Sequence, residues 1–155
     1  MKNTYENEKH LSRREQIIYG ISNGGQVFGY SLVTSYLMYF YINVFLIDAK
    51  IISLIFLLGG IWDIINNPLI GVFIDHKENK AGKLTSIIRK ITPIQAVATS
   101  LIFLGPVFIK DNSNISATKI IYLLITYFLW EFMYSITDVA FGSLVAVITP
   151  NPIER

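Results

Sequence analysis

The chain has 155 residues, of which 52% are hydrophobic and 15% charged; its net charge is +2, its mean hydropathy +0.48, and it has no cysteine. A soluble domain carries roughly 25% charged residues, so this composition cannot coat a globule and argues against a soluble enzyme. The lack of cysteine excludes a disulfide framework, a thiolate nucleophile and a cysteine-ligated metal. So small a net charge excludes a nucleic-acid footprint, and no nucleic-acid partner is expected.

In chain order, residues 16–47 contain no Asp, Glu, Lys or Arg, a run longer than the ~20 residues needed to cross a bilayer. Residues 51–74 are interrupted only by Asp63, residues 91–109 are uncharged, and residues 120–150 hold only Glu131 and Asp138. None of the four runs has the charged stripe that a helix of a soluble bundle would show at its 3.6-residue period. The expected fold is therefore all-α, a polytopic membrane protein with four spans, lying in the cell membrane in contact with the lipid bilayer. The first run is too long, and its end too aromatic, for a cleaved secretory signal.

Orientation follows from the basic residues. Lys2, Lys9, Arg13 and Arg14 precede the first span, and Lys77, Lys80, Lys83, Arg89 and Lys90 lie between the second and third. The other two connections hold only Lys50, Lys110 and Lys119. Positive charge stays inside, which places both termini in the cytoplasm. The chain then divides into a tail (1–15), a membrane region (16–153) and the start of a further cytoplasmic loop (154–155).

Three acids inside the spans, Asp63, Glu131 and Asp138, together cost on the order of 9 kcal/mol on insertion scales and so mark an ion or substrate path. Asp63, Asn66 and Asn67 share one helical face at i, i+3 and i+4, and Glu131, Ser135 and Asp138 share another at i, i+4 and i+7. Two faces of hard oxygen donors suit a small cation or a proton, and equally the hydroxyls of a sugar. Tyr36, Tyr39, Tyr41, Trp62, Trp130 and Tyr134 serve either as interfacial and packing residues or as stacking surfaces for a sugar ring. Gly20, Gly24, Gly25, Gly59 and Gly60 are expected where helices approach closely. No pairing of nucleophile and base appears, and no enzyme activity is expected.

The segment Ile61-Trp62-Asp63-Ile64-Ile65-Asn66-Asn67-Pro68-Leu69-Ile70-Gly71 resembles the WDxxNDPxxG signature of the glycoside–pentoside–hexuronide cation symporters, the melibiose permease-like branch of the major facilitator superfamily. Tyr19-Gly20 and residues 36–41 in the first span, Asp75 and Gly82-Lys83 in the loop, and Trp130, Tyr134, Asp138, Phe141 and Ser143-Leu144 in the fourth span resemble it too. The resemblance runs from Tyr19 to Arg155 and implies the first four helices of a twelve-helix sugar:cation symporter.

It also implies site residues. The cation site would draw on Asp63, Asn66 and Ser135, with Asn67 where the family has a second acid. The substrate site would draw on Asp138, Gln26 and Tyr134, although Gln26, Val27 and Gly142 replace a Lys, an Asp and a Trp of the family. No organic cofactor is implied, only a coupling cation, H+ or Na+, and a small sugar or glycoside as substrate. With Asn67 neutral, Asp63 stands as the lone carboxylate unless Glu131 reaches it from the fourth span, so proton coupling or weakened sodium coupling is expected. Four helices cannot complete a path built between two halves. The expectation is an N-terminal part whose remaining helices come from a continuing frame or a separate chain. A non-transporting remnant or helper is the alternative, and a dimeric small exporter the next.

Overall fold

Ser12 opens the first helix: its hydroxyl accepts from the N–H of Glu15 at 3.2 Å, and the Glu15 carboxylate accepts from the N–H of Ser12 at 3.0 Å, a reciprocal capping box. The computed structural model describes residues 12–75, 81–111 and 113–148, and their regular elements are four helices: α1 (Arg13–Asn43), α2 (Ala49–Asp75), α3 (Ala81–Phe108) and α4 (Ala117–Ile148). Lys2, Lys9, Lys77, Lys80 and the terminal Glu154-Arg155, which entered the reading of orientation and domains, lie outside the described residues.

Helix ends depart from the apolar runs for identifiable reasons. α1 stops at Asn43, short of Ile47, without a charge or a glycine to announce it. The N–H of Ile47 bonds back to the carbonyl of Tyr41 at 2.9 Å with Leu46 at φ 57°, so that a leucine takes the left-handed position usually held by glycine where the chain leaves the helix. Left-handed backbone at a leucine costs about 1–2 kcal/mol, offset by the burial of the flanking Phe45 and Ile47. α3 begins at Ala81, a decade before its apolar run, because Lys83, Arg89 and Lys90 ride on the helix. Lysine and arginine bound a lipid-facing stretch, but they are good helix formers. Pro68 lies inside α2, and Pro93 and Pro106 inside α3.

Ala49–Ile74, Gly82–Phe108 and Ala117–Val145 are each long and apolar enough to cross a membrane. α1 matches them in length, but Ser22, Asn23, Gln26, Ser31, Thr34, Ser35 and its glycines dilute its apolar content. A helix of that composition suits contact with other helices or a water-filled path better than contact with lipid.

α4 is the hub. It packs most extensively on α3, also along α2, and over a narrower contact on α1. Two apolar clusters lie along it. One joins Val33, Leu37, Tyr41, Ile52, Ile55, Ala98, Ile102, Leu123 and Trp130 toward the 44–48 and 109–116 connections. The other joins Ile70, Ile74, Leu84, Ala140 and Leu144 toward the opposite end. Between them, near the middle of every helix, runs a polar layer: Gln26 of α1, Asp63 and Asn66 of α2, Gln95 of α3, and Glu131, Ser135 and Thr137 of α4.

Close approach depends on two glycines. A Cβ on Gly59 would stand 2.7 Å from the Tyr127 ring, and one on Gly105 would stand 2.8 Å from the ring of Phe45. Gly20, Gly24, Gly25 and Gly60, also expected at such contacts, instead face open space. At the connection end, Lys119 is 1% exposed, and its ammonium donates to the carbonyls of Phe45 (2.8 Å) and Ser113 (3.1 Å) while lying 5.4 Å from the centre of the Phe45 ring. It ties the two connections together, and the N–H of Asp48 adds a bond to the carbonyl of Asn114 at 3.2 Å.

Candidate functional site

The polar layer resolves into two groups on either side of α4. On the α2 side, the hydroxyl of Ser135 donates to Oδ1 of Asp63 at 3.4 Å, a contact between residues 72 positions apart in sequence. Glu131, one turn before Ser135, is buried, and its carboxyl faces that of Asp63 closely enough for the two charges to act on one another. Its Oε1 accepts from the hydroxyl of Tyr127 at 3.2 Å, whereas Oε2 has no partner. Tyr127 can stand there because Gly59 of α2 leaves room for its ring. Asn66 is buried one turn beyond Asp63, its amide nitrogen unpaired, at the edge of an apolar groove shared with Phe132 and Ile136.

On the α1 side, the side-chain amide of Gln26 donates to the hydroxyl of Thr137 at 2.7 Å. That hydroxyl in turn faces Oε1 of Gln95 at 3.0 Å and the carbonyl of Tyr134 at 2.8 Å. The chain of bonds crosses three helices and floors an open groove of about 510 Å³, lined also by Ser22, Gly25, Gly29, Thr92 and Thr99. Tyr30 bridges the two groups by stacking on Trp130 (centroids 5.6 Å apart, planes at 7°) and on Tyr134 (4.2 Å, 25°).

Of the residues singled out for a cation, Asp63 and Ser135 are in contact, Asn66 is buried on the same face, and Asn67 is exposed. Of those singled out for substrate, Tyr134 and Asp138 meet, the tyrosine hydroxyl donating to Oδ1 at 3.3 Å, with Asp138 exposed. Gln26 bonds instead to Thr137, so the three do not converge on one point. Among the aromatic candidates, Trp130 and Tyr41 are buried and Tyr36, Tyr39 and Trp62 exposed.

Tyr30, Gln95, Thr137 and Tyr127 went unread in the sequence. Gln95 and Thr137 offered a faint signal, as polar side chains near the middle of apolar helices; Tyr30 and Tyr127 offered none. Chemically, the α2 side offers carboxylate, hydroxyl and amide groups to a small cation, and the α1 side offers amides and hydroxyls beside an aromatic stack, which suit a polyhydroxylated ring.

A family profile described as MFS/sugar transport protein matches residues 18–155. The chain is 35% identical over 153 residues to the uncharacterized symporter YjmB of Bacillus subtilis (strain 168), covering 97% of this chain and 32% of that protein. It is 32% identical over 142 residues to the isoprimeverose transporter of Lactiplantibacillus pentosus, covering 91% and 28%. It is 28% identical over 147 residues to the inner membrane symporter YicJ of Escherichia coli (strain K12), covering 94% and 30%. The chain thus spans about a third of the length of the curated relatives it matches. No solved structure matches it.

Proposed function

The chain belongs to the MFS/sugar transport family, a family of transporters and not of enzymes, and from that premise we propose that it forms the cation-holding part, and one wall of the sugar path, of a sugar or glycoside:cation symporter in the cell membrane. The observation that carries this reading is the contact of Ser135 with Asp63 across the α2–α4 interface. It joins a carboxylate and a hydroxyl near the middle of two apolar helices, and acids inside membrane spans are retained for ion or substrate paths. Gln26, Thr137 and Gln95, with Tyr134 and Asp138 nearby, supply donors and acceptors for hydroxyl groups, and the Tyr30–Trp130–Tyr134 stack supplies an aromatic face. Asn66 and Asn67 complete the α2 face as neutral donors.

A cation couples to a sugar when each lowers the cost of the other's binding. α4 is the element through which that happens here, since Ser135 and Glu131 face the acid of α2 while Thr137 and Tyr134 face α1. Both termini lie in the cytoplasm in this reading. Isoprimeverose, the sugar named for a relative, and other small glycosides are the first substrates to try, and the missing helices are supplied by further sequence or by a second chain.

The test is uptake of labelled isoprimeverose and of alkyl glycosides by the native host, with and without Asp63→Asn at the chromosomal locus, against imposed sodium and proton gradients. Cation-driven accumulation that disappears in the variant supports the reading. Accumulation driven equally well in both strains overturns it. For topology, a cysteine introduced at Ser113 should be labelled from outside the cell only; labelling from the cytoplasmic side alone overturns the orientation.

A further inference from the structure

Glu131 is 4% exposed at the middle of α4, and its Oε2 is sealed from solvent without a hydrogen-bond partner. Leaving a buried polar atom unpaired costs about 1–3 kcal/mol, and more where the group carries charge. The acid across the interface makes matters worse, because Asp63 adds a second carboxyl there. Nor is the carboxyl simply misplaced. Gly59 admits the Tyr127 ring and the Tyr127 hydroxyl holds Oε1 at 3.2 Å, so Oε2 is the oxygen left facing the interface.

Asn66 is likewise 5% exposed with an unpaired amide nitrogen, and a half-turn of its amide exchanges nitrogen for oxygen. The Ser135 hydroxyl already rests on Asp63. Two helices therefore bring together two carboxyls and one hydroxyl, with the buried Asn66 amide one turn further along α2. A proton shared between the two carboxyls would satisfy one oxygen of each and leave the hydroxyl and the amide unused, whereas a small hard cation gathers several oxygens at once.

We infer that Glu131 is the second carboxylate of a sodium site shared between α2 and α4, its other ligands being Asp63, the Ser135 hydroxyl and the Asn66 amide oxygen. The inference rests on the cation-coupled reading above and adds the residue that sets the charge of the site. It also moves the second negative charge from α2, where Asn67 is neutral and exposed, to the facing helix. Occupancy then ties α2 to α4 directly.

The probe is 22Na+ in equilibrium dialysis against the full chain in lipid nanodiscs, without sugar, so that a failure to take up any glycoside leaves this result standing. The parent is expected to bind sodium saturably. Glu131→Gln, close in shape and still able to bond Tyr127, should weaken binding roughly tenfold or more, the equivalent of one charge-assisted ligand. Glu131→Asp should restore part of the affinity, and Tyr127→Phe should lower it by a few fold with Glu131 intact. Sodium binding by Glu131→Gln equal to the parent overturns the inference, as does a parent that binds no sodium. A loss in Glu131→Gln that Glu131→Asp does not relieve overturns it too, since that pattern marks a packing role.

Discussion

Lys119 and Glu131 lie about three turns apart on α4, and both are ionisable side chains withdrawn almost wholly from solvent. Their surroundings differ in kind. The ammonium of Lys119 has two carbonyls and an aromatic face around it, all from the connections it joins. Glu131 has one tyrosine hydroxyl, an unpaired oxygen and another acid opposite. A buried charge whose partners are all supplied by its own fold belongs to the architecture. One left partly unpaired inside a membrane span marks a candidate site for a ligand that comes and goes. The start and the middle of α4 thus serve different tasks, a clasp at the connections and the candidate site at mid-helix.

The largest expected effect breaks the clasp. Lys119→Ala leaves the buried carbonyl of Phe45 without a donor, unties Ser113 and removes the cation from the Phe45 ring, and should lower stability by about 3 kcal/mol, read as a drop in the thermal midpoint of the purified chain; an unchanged midpoint would mean that the two connections hold without it. Gly59→Ala comes next, since its new Cβ meets the Tyr127 ring at 2.7 Å. Overpacking of that kind costs about 2 kcal/mol, and here it should also weaken sodium binding through displacement of the Tyr127 hydroxyl. Tyr127→Leu in the same background should recover stability but not the affinity.

Glu131→Gln should move stability the other way. Removing a buried carboxyl that faces a second acid is expected to raise the midpoint, by the equivalent of about 1.5 kcal/mol, while sodium binding falls. Opposite signs for Lys119→Ala and Glu131→Gln are the sharpest form of the comparison, and a destabilised Glu131→Gln would place Glu131 with Lys119 among the structural charges. The smallest effect belongs to Tyr30→Leu, which removes the stack on Trp130 and Tyr134 at a cost of about 1 kcal/mol. Its functional mark should be weaker glycoside uptake in the native host with sodium binding unchanged.

Much of this was legible beforehand. The WDxxNDPxxG-like string around Asp63 pointed to the family that the profile match and the relatives bear out, and the uncharged runs located helices. Their ends were less legible. Charges bound the apolar stretch of α3 without stopping the helix, and the leucine at φ 57° that closes α1 carries no sequence signature. At the site, the i, i+3, i+4 spacing put Asp63 and Asn66 on one face but could not separate buried Asn66 from exposed Asn67. Asp138, spaced with Glu131 and Ser135, is exposed while those two are buried. The partnership of Gln26 with Thr137 and Gln95, and the bridging place of Tyr30, joined residues from three helices that no spacing connects.

The division has a physical cause. Length, apolar content and the placement of charge act along the chain, residue by residue against a bilayer, so the sequence by itself determined that there are four long helices, where their apolar stretches lie and which acids must justify their presence there. Rotation of a helix about its axis and its choice of neighbour are different matters. Helices that are apolar all round carry little periodic signal of which face turns inward. Only the packing of α4 against three partners decided that Glu131 meets Asp63, that Gln26 meets Thr137, and that Lys119 is buried among carbonyls.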